Sequence, residues 1–387
     1  MHVCLVYDCL YPWTVGGAER WYRNLAERLA ADGHEVTYLT RRQWDDGDEP
    51  ELRGVRVLAV SGRSALYAHG RRRLLPPLAF GLGVLRHLAR HRRAYDVVHT
   101  ASFPYFSLLG AAAVRRAARF RLVVDWHEVW TREYWREYLG PVGGAIGWQV
   151  QRLCLRISQD AFCFSRLHER RLLDEHVHGP VTRLEGEYAG SLTPPPPTPA
   201  EPTVVFAGRH IPEKRVLALV PAIGRAAEAI PELRCEIFGD GPERERLLDA
   251  IRADGLEGRI SAPGFVPTEE IDAALRRALC LVLPSRREGY GVVVVEAAAA
   301  GTPSVVASGP DNAAAELVAD GENGFVAPSA SAADLAAAIV AVHRAGGALR
   351  ESTAAWFAAN AARLSIESSL RAVLAVYADT GAPSARR

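Results

Sequence analysis

Lysine is nearly missing. Lys214 is the only one among 46 basic residues, and the other 45 are arginines. Methionine occurs once, while alanine, arginine, glycine and proline are abundant, a bias that reads as coding pressure rather than chemistry. Under such pressure an exposed lysine drifts to arginine at little cost. A lysine that stays is either a chance survivor or marks a place that needs a compact ammonium where a planar fork would not fit. Charge of one sign is lacking as well. The net charge of +1 excludes a polyanion binder as the role of the whole chain, and no nucleic-acid partner is expected. The six cysteines, Cys4, Cys9, Cys154, Cys163, Cys235 and Cys280, form no C-x-x-C pair and mostly sit in apolar runs. They read as reduced core thiols of a cytosolic protein. The opening MHVCLVYDCLYPW has no basic segment leading into an apolar one, so no signal peptide is expected. The apolar stretch LLPPLAFGLGVL is too short to span a bilayer and contains two prolines.

No short-period repeat is visible, and what is there is alternation. The length of 387 residues suits about two domains. The run TPPPPTPAEP at 193–202 is a semi-rigid extended linker. It separates a domain at 1–192 from one at 203–365. Each half opens on an apolar run, then glycine, then a helical pattern: VCLVYD before GGAERWYRNLAERLAADG, and TVVFAG before RVLALVPAIGRAAEAI. The apolar runs EVTYLT, DVVHT, RLVVD, AFCF, RCEIFG, CLVLP and PSVVAS alternate with further helical stretches. Continuous apolar strands alternating with helices mean parallel sheets covered on both faces. The fold class expected is therefore α/β, two doubly wound domains with a cleft between them. A terminal helix over 366–380 is expected to cross back to the first domain.

Ligands of open parallel sheets bind at the carboxyl ends of strands, so the loops there matter most. Gly16 and Gly17 precede the first helix and would let its amides approach an anion, although a plain turn reads equally well. No G-x-G-x-x-G is present, which argues against a dinucleotide site. In GRHIPEK, Arg209 and Lys214 put two cations on one loop after a strand, which suits a diphosphate; a solvated loop is the alternative. In PSRREGYGVVVVEAAAAGTPSVV at 284–306, Glu288 lies between Arg287 and two glycines, Gly289 and Gly291. A helix is expected from about Val292 to Ala300, with its positive end at the same place. Glu296 lies one turn inside it among valines and alanines, where a carboxylate needs a partner. The vicinal hydroxyls of a ligand would serve, and so would a neighbouring basic residue.

The segment EGYGVVVVE, two glutamates flanking seven residues, resembles the signature of retaining glycosyltransferases of family 4, which have two Rossmann-like domains in the GT-B architecture. GRHIPEK resembles that family's phosphate loop, FGDGPERERL at 238–247 its G-x-G-P turn, GGAE at 16–19 its amino-terminal glycine loop, and GTPSVVAS its strand after the signature helix. These motifs occur in the family's order over nearly the whole chain. The resemblance implies that Arg209 and Lys214 hold the diphosphate of a nucleoside diphosphate sugar and that Glu296 holds its ribose. It implies that Glu288 contacts the donor sugar and that Gly239, Gly289 and the amides of Tyr290, Gly291 and Val292 line the donor. Gly16 and Gly17 would approach the phosphate. In VVDWHEVW, His127 is implied near the reacting sugar, making His127, Glu288, Lys214 and Arg209 the catalytic candidates. Asp125 and Glu128 become candidate contacts to a hydroxyl acceptor, as do the aromatics Trp126, Trp130 and Trp135, which read equally well as core. The architecture implies no metal and no bound cofactor beyond the nucleotide-sugar co-substrate. The acidic stretch DDGDE at 45–49 accordingly reads as a solvated loop.

Segment 63–93 carries eight arginines and no acid, with leucines at helical spacing. It suggests a solvated helix, peripheral contact with an anionic membrane face, or an acidic acceptor. Departures from the family also occur. TRLEGEYAGSL stands where many members carry a P-N-G loop, and Arg215 stands where glycine is frequent. A nucleotide-sugar epimerase or a non-catalytic nucleotide-sugar-binding partner shares the architecture. A pyridoxal phosphate enzyme is disfavoured, because the only lysine lies on the phosphate loop.

Overall fold

The computed structural model describes residues 1–64, 67, 68, 71–73, 75–193, 196 and 198–379. Parts of the 63–93 and 193–202 segments, and residue 380 of the terminal helix, lie outside them. The chain divides into two units, Met1–Glu185 with Ser368–Arg387, and Gly186–Glu367.

The first unit runs β1 (His2–Val6), α1 (Gly17–Ala31), β2 (Glu35–Arg41), β3 (Val55–Ser61), the short pair β4 (Tyr67–Ala68) and β5 (Arg71–Arg72), α2 (Leu75–Arg90), β6 (Val97–Ala101), α3 (Phe106–Ala118), β7 (Arg121–Trp126), α4 (Arg132–Leu155), β8 (Asp160–Cys163), α5 (Arg166–Asp174) and β9 (Val181–Arg183). Its seven-stranded sheet has the order β3-β2-β1-β6-β7-β8-β9, and every neighbouring pair is parallel. Central strands bury nearly every residue, because helices cover both faces. Right-handed crossovers put α2, α3, α4 and α5, which all advance toward β9, on the face opposite α1. The core on that side gathers Cys4, Phe80, Val98, Trp126, Trp130 and Trp135.

The second unit runs β10 (Thr203–Ala207), α6 (Leu219–Ala226), β11 (Arg234–Phe238), α7 (Arg244–Ala253), β12 (Ile260–Gly264), α8 (Thr268–Arg277), β13 (Cys280–Leu283), β14 (Arg287–Glu288), α9 (Val292–Ala299), β15 (Ser304–Ala307), β16 (Asp311–Asn312), β17 (Gly324–Ala327) and α10 (Ala332–Leu364). Its parallel six-stranded sheet has the order β12-β11-β10-β13-β15-β17. The short strands β14 and β16 pair separately, Glu288 opposite Asn312. By length and composition α10 could cross a membrane. It breaks at Gly346 (φ 58°), and its Leu335, Ile339, Val342 and Phe357 are buried, so it serves as a core helix of this unit. The terminal helix α11 (Ile366–Ala378) groups with the first unit from Ser368 onward. Its Tyr377 hydroxyl lies 2.6 Å from His99 Nδ1 in β6.

All six cysteines are buried, and none forms a disulfide. Burial pushes the Cys154 and Cys280 thiols up to about 12, so neither is a thiolate at neutral pH.

Both sheets reverse their direction of winding once, between β1 and β6 and between β10 and β13. Loops leaving the carboxyl ends of such a strand pair diverge and open a crevice for a ligand. The two switch points therefore direct attention to the loops after β1, β6, β10 and β13.

Candidate active site

At the β10/β13 switch point the sequence candidates converge. After Ala207 the chain makes a 3-10 turn, Pro212–Lys214, closed by Arg215 in the left-handed region (φ 50°). The turn delivers Lys214 Nζ to 2.5 Å from Glu288 Oε1, across two loops that leave adjacent strands. The Ser285 hydroxyl donates to the same oxygen at 2.8 Å. The pair is nearly enclosed, with side-chain exposures of 20% for Lys214 and 9% for Glu288. Glu288 is held in place from below. Asn312 Nδ2 donates to the Ser285 carbonyl at 3.0 Å and to the Ala307 carbonyl at 2.8 Å, tying the β13 loop to the end of β15. Arg209 is exposed on the same loop as Lys214.

Gly291 caps the start of α9 with φ 102°. A Cβ there would stand 2.6 Å from Ala314 Cβ. Only glycine fits, and the tight approach sets the angle at which the helix amides leave the loop. Gly291→Ala should lower the stability of the second unit by roughly 1–3 kcal/mol, read as an earlier urea midpoint with an unchanged m value.

Gly239, expected on the donor, has φ 119° and lies against the backbone of Gly208. The two loops are stitched together: Gly208 N–H donates to Phe238 O at 3.1 Å and His210 N–H to Asp240 O at 2.8 Å. His210 was not singled out by the sequence. It is wholly buried within the lysine loop. Burial and the nearby Arg244 hold its pKa below the ordinary histidine value, so the ring is neutral.

Glu296 is not brought to Lys214 in the same way. It is half-buried on α9, and its charge acts on Tyr188, whose phenol is pushed up to about 12 by burial and by Glu296. Tyr188 comes from the segment that departs from the family pattern. Its backbone is pinned to the end of α10, Tyr188 N–H donating to Leu364 O at 3.1 Å.

In the first unit His127 follows β7. Its ring stacks on Phe164 at 4.6 Å between centroids, and its buried Nε2 has no hydrogen-bond partner. Burial lowers its pKa against the opposing pull of Asp125 and Glu128, leaving a neutral imidazole. Gly16 is the residue before α1, with extended backbone, and Gly17 opens the helix. The Glu19 side chain folds back against Gly16, so a carboxylate already stands at that helix start.

Four acceptor candidates are corrected. Asp125 is wholly buried; its oxygens take Trp21 Nε1 at 2.8 Å and His99 Nε2 at 2.7 Å. Burial alone would raise its carboxyl, but His99, His127 and the Trp21 N–H hold it below the usual carboxylate range. It ties β7 to α1, to β6 and, through His99, to Tyr377 of α11. Trp126 is also wholly buried, its indole N–H donating to Gln159 Oε1 at 2.9 Å. Trp130 and Trp135 are core residues gathered on Gln151. One Gln151 oxygen accepts from Tyr105 Oη at 2.9 Å, Trp130 N at 3.1 Å and Trp135 Nε1 at 3.1 Å. An acceptor cannot touch side chains consumed in this way. Glu128 remains half-buried and accepts from Trp130 Nε1 at 2.8 Å.

In the 45–49 loop Asp45 pairs with Arg63 and Asp46 with Arg42. Among the described residues no group of His, Cys, Asp or Glu converges as metal ligands.

Two family models divide the chain between them. Residues 15–183 match "Glycosyltransferase Family 4" and residues 195–354 match "Glycosyl transferases group 1". The chain is a GT-B glycosyltransferase, with a family 4 match over its first half. The glycogen synthase of Mycobacterium tuberculosis is 28% identical to it over 358 residues, covering 86% of this chain and 83% of that protein. Among solved structures, sucrose-phosphate synthase of Thermosynechococcus elongatus superposes with a TM-score of 0.78 at 21% identity, over 97% of this chain and 98% of that one. Anabaena HepE, solved with UDP and glucose, gives 0.74 at 18% identity over 97% and 99%. These two likenesses establish the GT-B fold for this glycosyltransferase.

Proposed function

We propose that this glycosyltransferase moves a sugar from a nucleoside diphosphate sugar to a hydroxyl acceptor, with retention of anomeric configuration and without a metal. The observation that carries the reading is the Lys214–Glu288 pair at the β10/β13 switch point. In the empty protein the ammonium and the carboxylate neutralise each other. An arriving diphosphate competes for Lys214 and frees Glu288 to accept a hydrogen bond from a donor-sugar hydroxyl. Arg209, exposed on the same loop, adds a second cation.

In the reaction the acceptor oxygen bonds to the anomeric carbon on the face from which the diphosphate leaves. The bond from that carbon to the phosphate oxygen breaks, and the acceptor proton passes to the departing phosphate. Lys214 stabilises the charge that develops there. Glu296 is assigned to the donor ribose. Gly239, Gly289 and the amides of Tyr290, Gly291 and Val292 are assigned to the donor, as are Gly16 and Gly17. His127 is assigned to the reacting sugar; its neutral ring and unpartnered Nε2 suit a hydroxyl. Of the acceptor candidates Glu128 is retained. Peripheral membrane contact through 63–93 is also retained. Its described helix α2 exposes Leu75, Leu78 and Leu82 together with Arg86 and Arg90.

The test is release of nucleoside diphosphate from a panel of UDP-, GDP-, dTDP- and ADP-sugars, with and without carbohydrate, lipid-linked and small-molecule acceptors. One donor should turn over, and Glu288→Gln should stop it. Glu296→Gln should raise the donor KM about tenfold, the loss of about 1.5 kcal/mol for a hydrogen bond to a charged group, with kcat less affected. An epimer formed from donor alone would assign the chain to isomerisation instead. Binding without turnover across the whole panel would assign it to a non-catalytic role.

A further inference from the structure

A buried titratable cluster of the first unit takes no part in the reaction as written above. Strand residues alternate between the faces of a sheet. His99 of β6 lies opposite Val123 of β7, two residues before Asp125, so His99 and Asp125 share a face. Their neighbours Val98, Val124 and Trp126 belong to the core on the other face. Helix α1 covers the face of His99 and Asp125 and brings two adjacent aromatics to it, Trp21 and Tyr22. The Trp21 indole donates to Asp125 Oδ2 at 2.8 Å. The Tyr22 phenol lies beside the same carboxylate, and burial and Asp125 hold it well above its ordinary value. At the other oxygen His99 Nε2 stands 2.7 Å away, and His99 Nδ1 is 2.6 Å from the Tyr377 hydroxyl of α11. A carboxylate accepts, so His99 carries a proton on Nε2. All of these side chains are buried.

The same aromatics build the slot that holds His127. Trp126 lies opposite Cys163 in the β7–β8 ladder, so His127 and Phe164 leave neighbouring strand ends side by side. Their rings stack at 4.6 Å with an interplanar angle of 8°. Phe164 meets Trp21 edge-on at 5.2 Å. Tyr22 meets His127 edge-on at 6.2 Å and His99 at 6.0 Å. Each wall of the slot therefore ends on Asp125, one through Phe164 and Trp21, the other through Tyr22. No hydrogen bond holds the buried Nε2 of His127, so the rings set its orientation and the carboxylate sets the rings. A buried charge is costly, and an apolar residue of similar volume in its place often stabilises a fold. Packing alone does not account for a carboxylate at this position.

We propose that Asp125, His99 and Tyr377 are positioning residues for His127, and that the terminal helix α11 thereby takes part in sugar transfer. Tyr377 holds His99, His99 holds Asp125, and Asp125 fixes the two rings of α1 that border the imidazole. The proposal rests on the assignment of His127 to the reacting sugar. Misplacing a group at the reacting centre by one ångström costs up to about 10²-fold in rate, so a hydroxyl lost from α11 is read in kcat. Asp125 also acts on His127 through its charge. Burial lowers the His127 pKa, Asp125 and Glu128 oppose that, and His99 of β6 adds to the lowering. The Tyr22 phenol that faces the imidazole from α1 stays uncharged.

The experiment is steady-state release of nucleoside diphosphate by the full chain, from whichever UDP-, GDP-, dTDP- or ADP-sugar turns over. Tyr377→Phe, Tyr22→Phe and Asp125→Asn are each measured alone and in the His127→Ala background. The two phenylalanine variants keep their rings and lose one hydroxyl each, so both should fold. Each should lower kcat about three- to tenfold, with the donor KM within about twofold of the wild type. In the His127→Ala background the same changes should cost nothing more, because no imidazole is left to hold. Asp125→Asn should lower kcat about tenfold. It should also move the acid limb of the pH profile down by about one unit. Activity that needs the neutral imidazole is lost as pH falls through its pKa, and this variant lacks the charge that favours protonation. If Asp125→Asn does not fold, the phenylalanine variants decide. Wild-type kcat in both of them, with His127→Ala slow, would overturn the inference and leave the assignment of His127 standing. Equal losses with and without His127 would overturn it as well, since the cluster would then serve the fold as a whole. His127→Ala turning over at the wild-type rate would strike the assignment of His127 itself, and the inference with it.

Discussion

Replacing Lys214 with methionine should lower kcat for sugar transfer by about 10²–10³-fold, or roughly 3–4 kcal/mol of transition-state stabilisation. Methionine keeps an unbranched stem of similar reach and removes only the ammonium. Two consequences add. The leaving diphosphate loses the cation that neutralises it as its charge grows, and Glu288, now held only by the Ser285 hydroxyl, presents a bare carboxylate to that anion. Lys214→Arg tests the compact charge separately. Nζ sits 2.5 Å from a carboxylate that also accepts from Ser285, in a nearly enclosed space. A planar guanidinium is wider and would displace one partner, so at least about tenfold should be lost although the charge is kept. Steady-state release of nucleoside diphosphate reads both variants, and a melting curve confirms that each is folded. Turnover of the methionine variant at the wild-type rate would remove Lys214 from the chemistry. The survival of a single lysine then has a physical reading: this one position rejects arginine.

Gln151→Leu should produce the largest loss of stability, roughly 3–5 kcal/mol, or about 10 °C in melting temperature for a unit of this size. The side chain is wholly buried. Its oxygen serves three donors, and its Nε2 donates to the Trp130 carbonyl at 2.9 Å. A leucine fills the volume and removes all four hydrogen bonds inside the core. Each lost bond adds its own cost. Lys214→Met, at a site that tolerates solvent, should move the melting temperature much less. A leucine variant that melts with the wild type would mean that the aromatic cluster is held by packing alone.

The fold was legible where burial is two-sided. Every continuous apolar run picked out in the sequence is a central strand of a sheet, from VCLVYD in β1 to PSVVAS in β15. Within the seven- and six-stranded sheets, the strands that no run revealed are β3, β9, β12 and β17, and these are the four edges. An edge strand is half-exposed, so its residues need not be apolar, and ISAPG in β12 contains both proline and glycine. The loops proposed for the donor stood out in the sequence for a related reason. Arg209, Lys214 and Glu288 are charged residues in the loops that follow largely apolar strands, and topology alone puts those strand ends side by side.

The first unit was harder to read. An aromatic stripe has the same spacing whether it faces a ligand or the core. Trp126, Trp130 and Trp135 were separated from an acceptor role only by where Gln151 and Gln159 sit, and nothing local in the sequence marks either glutamine. Asp125 was misread for the same reason, since its partners Trp21 and His99 come from other elements. The proximity of Tyr188 to Glu296 and the Asn312 tie beneath Glu288 are likewise contacts between distant segments. Hydrophobic period cannot carry such information.

The most direct measurement of the central claim is the melting temperature of the wild type and of Lys214→Met in UDP, GDP, dTDP and ADP. A ligand that binds only the native state stabilises it by about 2.7 kcal/mol at a hundred times its dissociation constant. One of the four nucleotides should therefore raise the wild-type midpoint by several degrees, and the methionine variant should lose most of that rise. If none of the four moves the wild type, or if the rise survives intact in the variant, the Lys214–Glu288 pair is not a diphosphate site.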